Sequence, residues 1–348
     1  MNVVGQIAYT KILEIGIGEG MNSRVYLADE PQHGGKIAVK EIPKDRFGND
    51  VSEYFAEAQA MFLADHENIL RIQYACETDD HVCLAMPFYQ KGSLTKRISD
   101  RPLRLREVLR ISQGILAGLA QIHREHIHFD IKPSNVLFSD TDVPMIADFG
   151  QARRISPTGT VTAPPLYSLS FPPETATSAV GTVLSDIYQA GLLIYRALNG
   201  NPWFESQIPK DDLLDKIAAG RFPNRQSFMP HVPPRLRTFV RKALRIDPDE
   251  RYQSATEMAD ALARVPLDLD WIVEPYGAYC TRWTAPRVDR SDLIVELLPD
   301  GSDWSVRVFT QRAGGQSRRK NPDRDWRDGM SFQQALDHLK DLFERLRR

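Results

Sequence analysis

The stretch His128-Phe129-Asp130-Ile131-Lys132-Pro133-Ser134-Asn135 is followed by Asp148-Phe149-Gly150, with two short apolar runs, Val136-Leu137-Phe138 and Met145-Ile146-Ala147, between them. This interval decides how the rest of the chain is read. It gathers two aspartates, a lysine and an asparagine around segments short and apolar enough to be buried strands. One carboxylate can orient an attacking hydroxyl, while a second carboxylate and an amide oxygen can hold a hard cation. The ammonium can offset charge on a group in transfer. A solvated turn could contain any one of these residues but would hardly collect all of them.

Upstream, Ile37-Ala38-Val39-Lys40 reads as a strand whose lysine sits among apolar residues. A lysine in that setting is rarely buried unless an anion meets it. Glu57, on the helical pattern SEYFAEAQAMFLAD, is the candidate partner; the alternative is an ordinary strand-end lysine with its head in water. Further upstream, Gly18-Glu19-Gly20-Met21-Asn22-Ser23-Arg24-Val25 falls between two strand-like runs. Glycines there let backbone amides approach phosphate oxygens without a Cβ clash, although by itself such a turn is more often a plain hairpin.

Composition narrows the classes. The chain has 348 residues, of which 42% are hydrophobic and 26% charged, with a formal net charge of −2. Those values belong to globular proteins and supply no field that would draw the chain to nucleic acid or anionic lipid. Cys76, Cys83 and Cys280 are too few for a disulfide framework and lack zinc-site spacing, so they read as reduced core thiols. Neither a leader-like N-terminus nor a long uncharged apolar stretch is visible, and a cytoplasmic protein without a membrane partner is expected.

From about Lys11 to Cys83 the pattern is β-rich with one helix, and after Gly92 it becomes mainly helical. The helical pattern stops around Val265-Pro266. Two β-runs, DLIVELL and DWSVRVF, then flank a Pro299-Asp300-Gly301-Ser302 turn, and an amphipathic helix, SFQQALDHLKDLFERLRR, ends the chain. Its Phe332, Leu336, Leu339, Leu342, Phe343 and Leu346 share one face, best explained by packing on the hairpin. Trp271 and Trp283 are candidates to dock this tail on the preceding lobe. The polar stretch from Gly314 to Gly329 reads as a mobile loop. His123, His126 and His128 have a spacing a metal could use, but no carboxylate or thiol cluster accompanies them.

Taken in order and spacing, these motifs resemble the protein-kinase superfamily, specifically its eukaryotic-like serine/threonine branch, over about residues 12–264. The resemblance implies an α+β, two-lobed protein-kinase fold with a β-rich N-lobe at 1–86, a hinge at 87–92 and a helical C-lobe at 93–265. Residues 266–348 follow as a small, separable α+β domain of no recognised family, expected to make a regulatory contact. It also implies transfer of the ATP γ-phosphate to serine or threonine hydroxyls of protein substrates, with autophosphorylation, using Mg2+ or Mn2+ in its place. Asp130 is then the catalytic-loop carboxylate, Lys132 neutralises the γ-phosphate, Lys40 meets the ATP phosphates and Glu57, and Asn135 and Asp148 ligate the metal. Gly18, Gly20 and Ser23 line the phosphates. Val25, Ala38 and Leu137 sandwich the purine beside Met86, the gatekeeper, with Pro87 and Tyr89 at the hinge. Glu174, in Pro172-Pro173-Glu174, is expected to pair with Arg251, and Asp186 to brace the catalytic loop.

Three departures accompany the resemblance. Ser23 stands where the family has a third glycine, and Phe129 where an arginine usually precedes the catalytic aspartate. Tyr167 or Ser168 takes the place of the threonine that normally reaches the catalytic loop. Two other functions share much of this pattern. A pseudokinase would lack one of the phosphate or metal residues, all of which are present, and a small-molecule phosphotransferase would not need the Glu174 and Arg251 pair.

Overall fold

The structure is a computed structural model and describes residues 7–16, 23–32, 34–47, 55–164, 168–275, 281–288, 290–312, 315, 317–320 and 322–347. Its first part is an antiparallel sheet of β1 (Thr10–Ile15), β2 (Arg24–Glu30), β3 (Gly35–Pro43), β4 (Tyr74–Glu77) and β5 (His81–Pro87), ordered β1-β2-β3-β5-β4. Side chains on a strand alternate between faces. Ile37, Val39, Cys83 and Ala85 therefore form a small outer cluster, while Ala38, Ile42, Val82, Leu84 and Met86 join the main core. Lys40 shares the inner face and lies opposite Leu84. Helix α1 (Ala56–Leu63) packs Ala58, Ala60 and Met61 under that face and carries Glu57 in its first turn. Cys76 and Cys83 are cross-strand partners with free thiols, and burial pushes Cys76 up to about 11.

Beyond the strand β5, the chain turns helical. Short α2 (Leu94–Arg97) precedes α3 (Leu105–Ile122), whose Leu105, Val108, Ile111, Ile115, Leu119 and Ile122 recur at helical spacing and are buried. The strands β6 (His126–Ile127), β7 (Val136–Phe138), β8 (Pro144–Ile146) and β9 (Arg153–Arg154) pair as β6 with β9 and β7 with β8. Next, β10 (Val161–Thr162) pairs across α4 (Pro173–Ser178) with β11 (Val180–Gly181). Helix α5 (Val183–Asn199) is buried on nearly every side and starts at a capping box of Thr182 and Ser185. Helices α6 (Asn201–Glu205), α7 (Leu213–Ala218), α8 (Pro234–Ala243) and α9 (Ala255–Ala263) complete this part. A β-sheet lobe thus precedes a helical lobe, as the sequence implied. Among the described residues, no helix is long and apolar enough to cross a membrane.

After α9 the architecture changes again, to an antiparallel sheet of β12 (Ile272–Pro275), β13 (Thr281–Ala285), β14 (Asp292–Asp300), β15 (Asp303–Gln311), β16 (Arg318–Arg319) and β17 (Arg327–Met330). The hairpin read from the sequence is β14 and β15, and Gly301 at φ 65° supplies its turn. The stretch from Gly314 to Gly329, whose polarity suggested a mobile loop, carries regular structure among its described residues. It contains β16, α10 (Pro322–Asp325) and β17 because Trp326 donates to the Val308 carbonyl at 2.9 Å and meets Phe309 edge to face. Asp325, fully buried, accepts from Arg324 and Arg345.

The terminal helix α11 (Phe332–Leu346) lays Ala335, Leu339, Leu342 and Phe343 against the sheet. Phe343 also stands edge-on between Trp271 and Trp283, at centroid distances of 4.9 and 5.4 Å. The apolar core runs without a break from the helical lobe into this region. Asp270 caps α3 from outside, accepting from the Arg106 amide at 3.0 Å and pairing with Arg104 at 2.8 Å. Residue 265 therefore marks a change of architecture and not a gap in the core.

Candidate active site

A cavity of about 1390 Å³ lies between the two lobes. Its wall includes Ser23, Val25, Ala38, Lys40, Glu57, Met86, Pro87, Tyr89, Asn135, Leu137 and Asp148, drawn from β2 and the residue before it, β3, α1, β5 and the chain after it, β7 and the turn before it, and the loop after β8. Gly18 and Gly20 lie outside the described residues, as does Tyr167.

Register explains how the polar end of the cavity forms. Lys40 lies on the inward face of β3 and is 6% exposed. Its Nζ stands 2.7 Å from Glu57 Oε1 and 2.7 Å from Asp148 Oδ1. Burial alone would lower the lysine, but the two carboxylates more than offset it and hold the ammonium charged. For Asp148, burial acts upward and is outweighed by Lys40 and by the Gly150 amide, 3.2 Å away, so the carboxyl stays well below its ordinary range. Glu57 moves up because burial, with Asp148 beside it, prevails over the shared lysine. Asp148 takes a left-handed φ of 63°, unusual for a residue with a Cβ, and the ion pair and Gly150 amide hold it there.

Asp130 and Lys132 do not line the cavity; they connect to it through Asn135. Asn135 Nδ2 donates to the Asp130 carbonyl at 2.9 Å and to its Oδ2 at 2.8 Å, and Lys132 Nζ lies 2.8 Å from that same oxygen. The loop itself is held from below by α5. Asp186, fully buried, accepts from the His128 and Phe129 amides, each at 2.7 Å, and lies 2.9 Å from His123 Nε2. Sequence reading had weighed His123 only as a metal ligand, whereas here it is a second brace on Asp186.

Gln189 was missed altogether. Its Nε2 donates to the Phe129 carbonyl at 2.7 Å and to the Ser170 carbonyl at 3.2 Å, while its Oε1 accepts from the Ile131 amide at 3.0 Å. The available signal was its position three residues after Asp186, which puts both on one helix face. Glu174 and Arg251 meet as expected, through two parallel hydrogen bonds, Nη1 to Oε1 at 2.9 Å and Nη2 to Oε2 at 2.7 Å.

With the lobes, the cavity and the two carboxylate clusters in place, the class is that of a two-lobed phosphotransferase scaffold. Residues 12–262 match the family described as protein kinase domain, and the chain belongs to that family. Among similar curated proteins, serine/threonine-protein kinase pkn2 of Myxococcus xanthus is 32% identical over 267 residues, covering 71% of this chain and 31% of that protein. Serine/threonine-protein kinase PrkC of Bacillus subtilis (strain 168) is 31% identical over 265 residues, 74% of this chain and 40% of the relative. Probable serine/threonine-protein kinase PknB of Lactococcus lactis is likewise 31% identical over 265 residues, 72% and 41%. The chain thus spans only about a third to two fifths of the length of these relatives.

Proposed function

We propose that this chain is a serine/threonine protein kinase, transferring the γ-phosphate of ATP to hydroxyl groups of protein substrates and of itself. The observation that carries this is Lys40, buried and held at 2.7 Å by both Glu57 and Asp148 at the polar end of the interlobe cavity. A protein rather than a small-molecule acceptor is supported by the paired Glu174 and buried Arg251, which brace the end of the segment after Asp148.

The donor set suits a divalent cation with ATP. Asn135 spends its amide nitrogen on Asp130 while its oxygen takes only a long hydrogen bond from Ser134 Oγ at 3.4 Å, and Asp148 uses Oδ1 on Lys40 and Gly150, leaving Oδ2. Hard oxygen donors favour Mg2+ over soft metals, with Mn2+ an acceptable substitute. When bound, ATP supplies the phosphoryl group and the cation neutralises its oxygens. Lys40 would fix the triphosphate, and Val25, Ala38, Met86 and Leu137 would form the apolar walls of the purine slot. Asp130 Oδ1, the oxygen not engaged by Asn135 or Lys132, would accept the hydrogen of the substrate hydroxyl. Ser23, Pro87 and Tyr89 complete the proposed nucleotide contacts, with Gly18 and Gly20.

The reaction is assigned to the cytoplasm, where ATP is plentiful and the free thiols Cys76 and Cys83 stay reduced. A regulatory role for residues 266–348 is proposed on their contact with the helical lobe. The deciding experiment incubates the purified chain with labelled ATP and Mg2+, alone and with myelin basic protein. Label should reach serine or threonine and be lost in Asp148→Asn. No transfer by the unaltered chain would reject the proposal.

A further inference from the structure

Phe129 has a backbone conformation and a side-chain environment that nucleotide chemistry does not require. Its φ is 65°, in the left-handed region that a bulky side chain rarely enters. Such a conformation persists only where surrounding structure imposes it. Here α5 imposes it from both sides of the residue, since Asp186 accepts the Phe129 amide and Gln189 donates to the Phe129 carbonyl, each at 2.7 Å. With the backbone pinned, the ring goes where the strained turn sends it, fully buried beside Ile127 and covered by the partly buried Ile155, Val161, Ala163, Phe171 and Val183. Three of those residues, Ile155, Val161 and Ala163, and Phe171 as well, belong to the segment between Gly150 and Pro172.

Gly181 provides the complementary space. It lies opposite Val161 in the β10–β11 pair, and a Cβ there would come within 2.2 Å of Phe129 Cε1 and 2.7 Å of Cζ, with Ser185 Oγ at 3.2 Å. A buried ring with no exposed surface cannot swing clear of such a contact. A glycine is therefore needed at 181 while phenylalanine occupies 129.

We propose that Phe129 is the positioning residue for the segment that presents the protein substrate, and that the absence of a side chain at Gly181 is the space its ring requires. This rests on the protein-kinase reading above and adds a residue pair to it. The polar bridge runs in parallel, because Gln189 ties the Phe129 carbonyl to that of Ser170 in the same segment.

The test uses the full chain and four forms: unaltered, Gly181→Ala, Phe129→Leu and the double variant. Leucine lacks the two ring atoms that a Cβ at 181 would strike. Gly181→Ala should raise KM for myelin basic protein by roughly tenfold or more, as overpacking commonly costs, with affinity for a fluorescent ATP analogue held within about twofold. Amide exchange over residues 151–172 should rise in parallel, a readout independent of turnover. The double variant should recover both. If Gly181→Ala does not fold and the double variant does, the coupling stands. Unchanged KM and exchange in Gly181→Ala, equal loss of ATP binding, or a double variant no better than the single would each overturn the proposal. Absence of transfer by the unaltered chain rejects the kinase reading instead, and the exchange pattern still decides the pair.

Discussion

Trp283 Nε1 donates to His231 Nδ1 at 3.2 Å in a site where both residues are buried, so the C-terminal sheet is fastened to the loop before α8 by a hydrogen bond that only a neutral imidazole can accept. Burial first, and then Arg237 and Arg347, lower His231 from 6.5 to about 3. The unfolded chain therefore binds a proton at His231 that the folded chain refuses. Stability from this site is complete above about pH 6.5 and is lost as the pH falls toward 3, by up to roughly 1.4 kcal/mol per pH unit. Melting curves between pH 7.5 and 5 should show a steeper acid loss for the unaltered protein than for His231→Gln, whose amide oxygen can accept the same bond without titrating. Identical slopes would remove His231 from the account.

The same joint governs what happens when the tail is removed. Trp271, Trp283 and Phe343 belong to one apolar core with the helical lobe, and Asp270 caps α3. Trp283→Ala should cost about 3–5 kcal/mol, read as a fall in the denaturation midpoint without loss of secondary structure. Deletion of residues 266–348 should leave a lobe that binds a dye for exposed apolar surface. A truncated chain as stable as the whole would show that the shared core contributes little.

Lys40→Ala should leave the fold intact and reduce phosphotransfer by about 10²-fold or more, since two carboxylates lose the cation that holds them and the triphosphate loses its anchor. With Lys40 gone, burial and the proximity of Asp148 push Glu57 further up, with Arg46 the remaining charge that opposes them. Steady-state rates at saturating Mg2+ provide the check, and an undiminished rate would dismiss the site.

Asp130→Asn and Asp148→Asn should part company. Asp130 acts on the acceptor hydroxyl and is bound by Asn135 and Lys132, away from the cavity wall, so its amide should cut kcat and spare nucleotide binding. Asp148 lines the cavity and meets Lys40, so its amide should weaken binding of the metal–nucleotide pair. Calorimetric titration beside kinetics separates the two, and an interchange of effects would mean the roles are reversed.

Much of this was legible because the chemistry is local in sequence. Lys40 declared itself as a charge inside an apolar strand, and the interval from His128 to Gly150 gathered its polar groups within a few turns of chain. Gln189 and Gly181 stayed silent because their partners lie about sixty and fifty residues earlier, and only the packing of α5 and of the β10–β11 pair brings them to Phe129. In the tail, one hairpin was visible through its alternation and its turn. The segment from Gly314 to Gly329 was read as a loop because its anchors are a lone tryptophan and a buried aspartate, which polarity averages cannot reveal. The join at residue 265 looked like a boundary because helical periodicity ends there, yet apolar burial continues through it.

The segment after Asp148 carries several hydroxyl residues open to phosphorylation, Ser156, Thr158, Thr160 and Thr162 among them. A phosphate added to such a segment orders it when a fixed cation waits to receive it. Here the residue before Asp130 is Phe129, fully buried among apolar side chains, and the segment is seated by that ring. The turn beyond β9 is already closed by its own hydroxyls: Ser156 Oγ donates to the Thr160 carbonyl at 2.6 Å and lies 2.8 Å from Thr158 Oγ1, which is 3.0 Å from Thr160 Oγ1. Arg153 and Arg154, the adjacent cations, sit on the exposed β9 of the same segment. Phosphorylation would break the hydroxyl network without gaining a rigid anchor, so activity should not depend on it. Phosphatase-treated protein with Ser156, Thr158, Thr160 and Thr162 replaced by alanine should keep most of its initial rate toward myelin basic protein. A drop beyond about tenfold, equivalent to some 1.4 kcal/mol of transition-state stabilisation, with recovery when the unaltered hydroxyls are phosphorylated, would refute the apolar seat as sufficient.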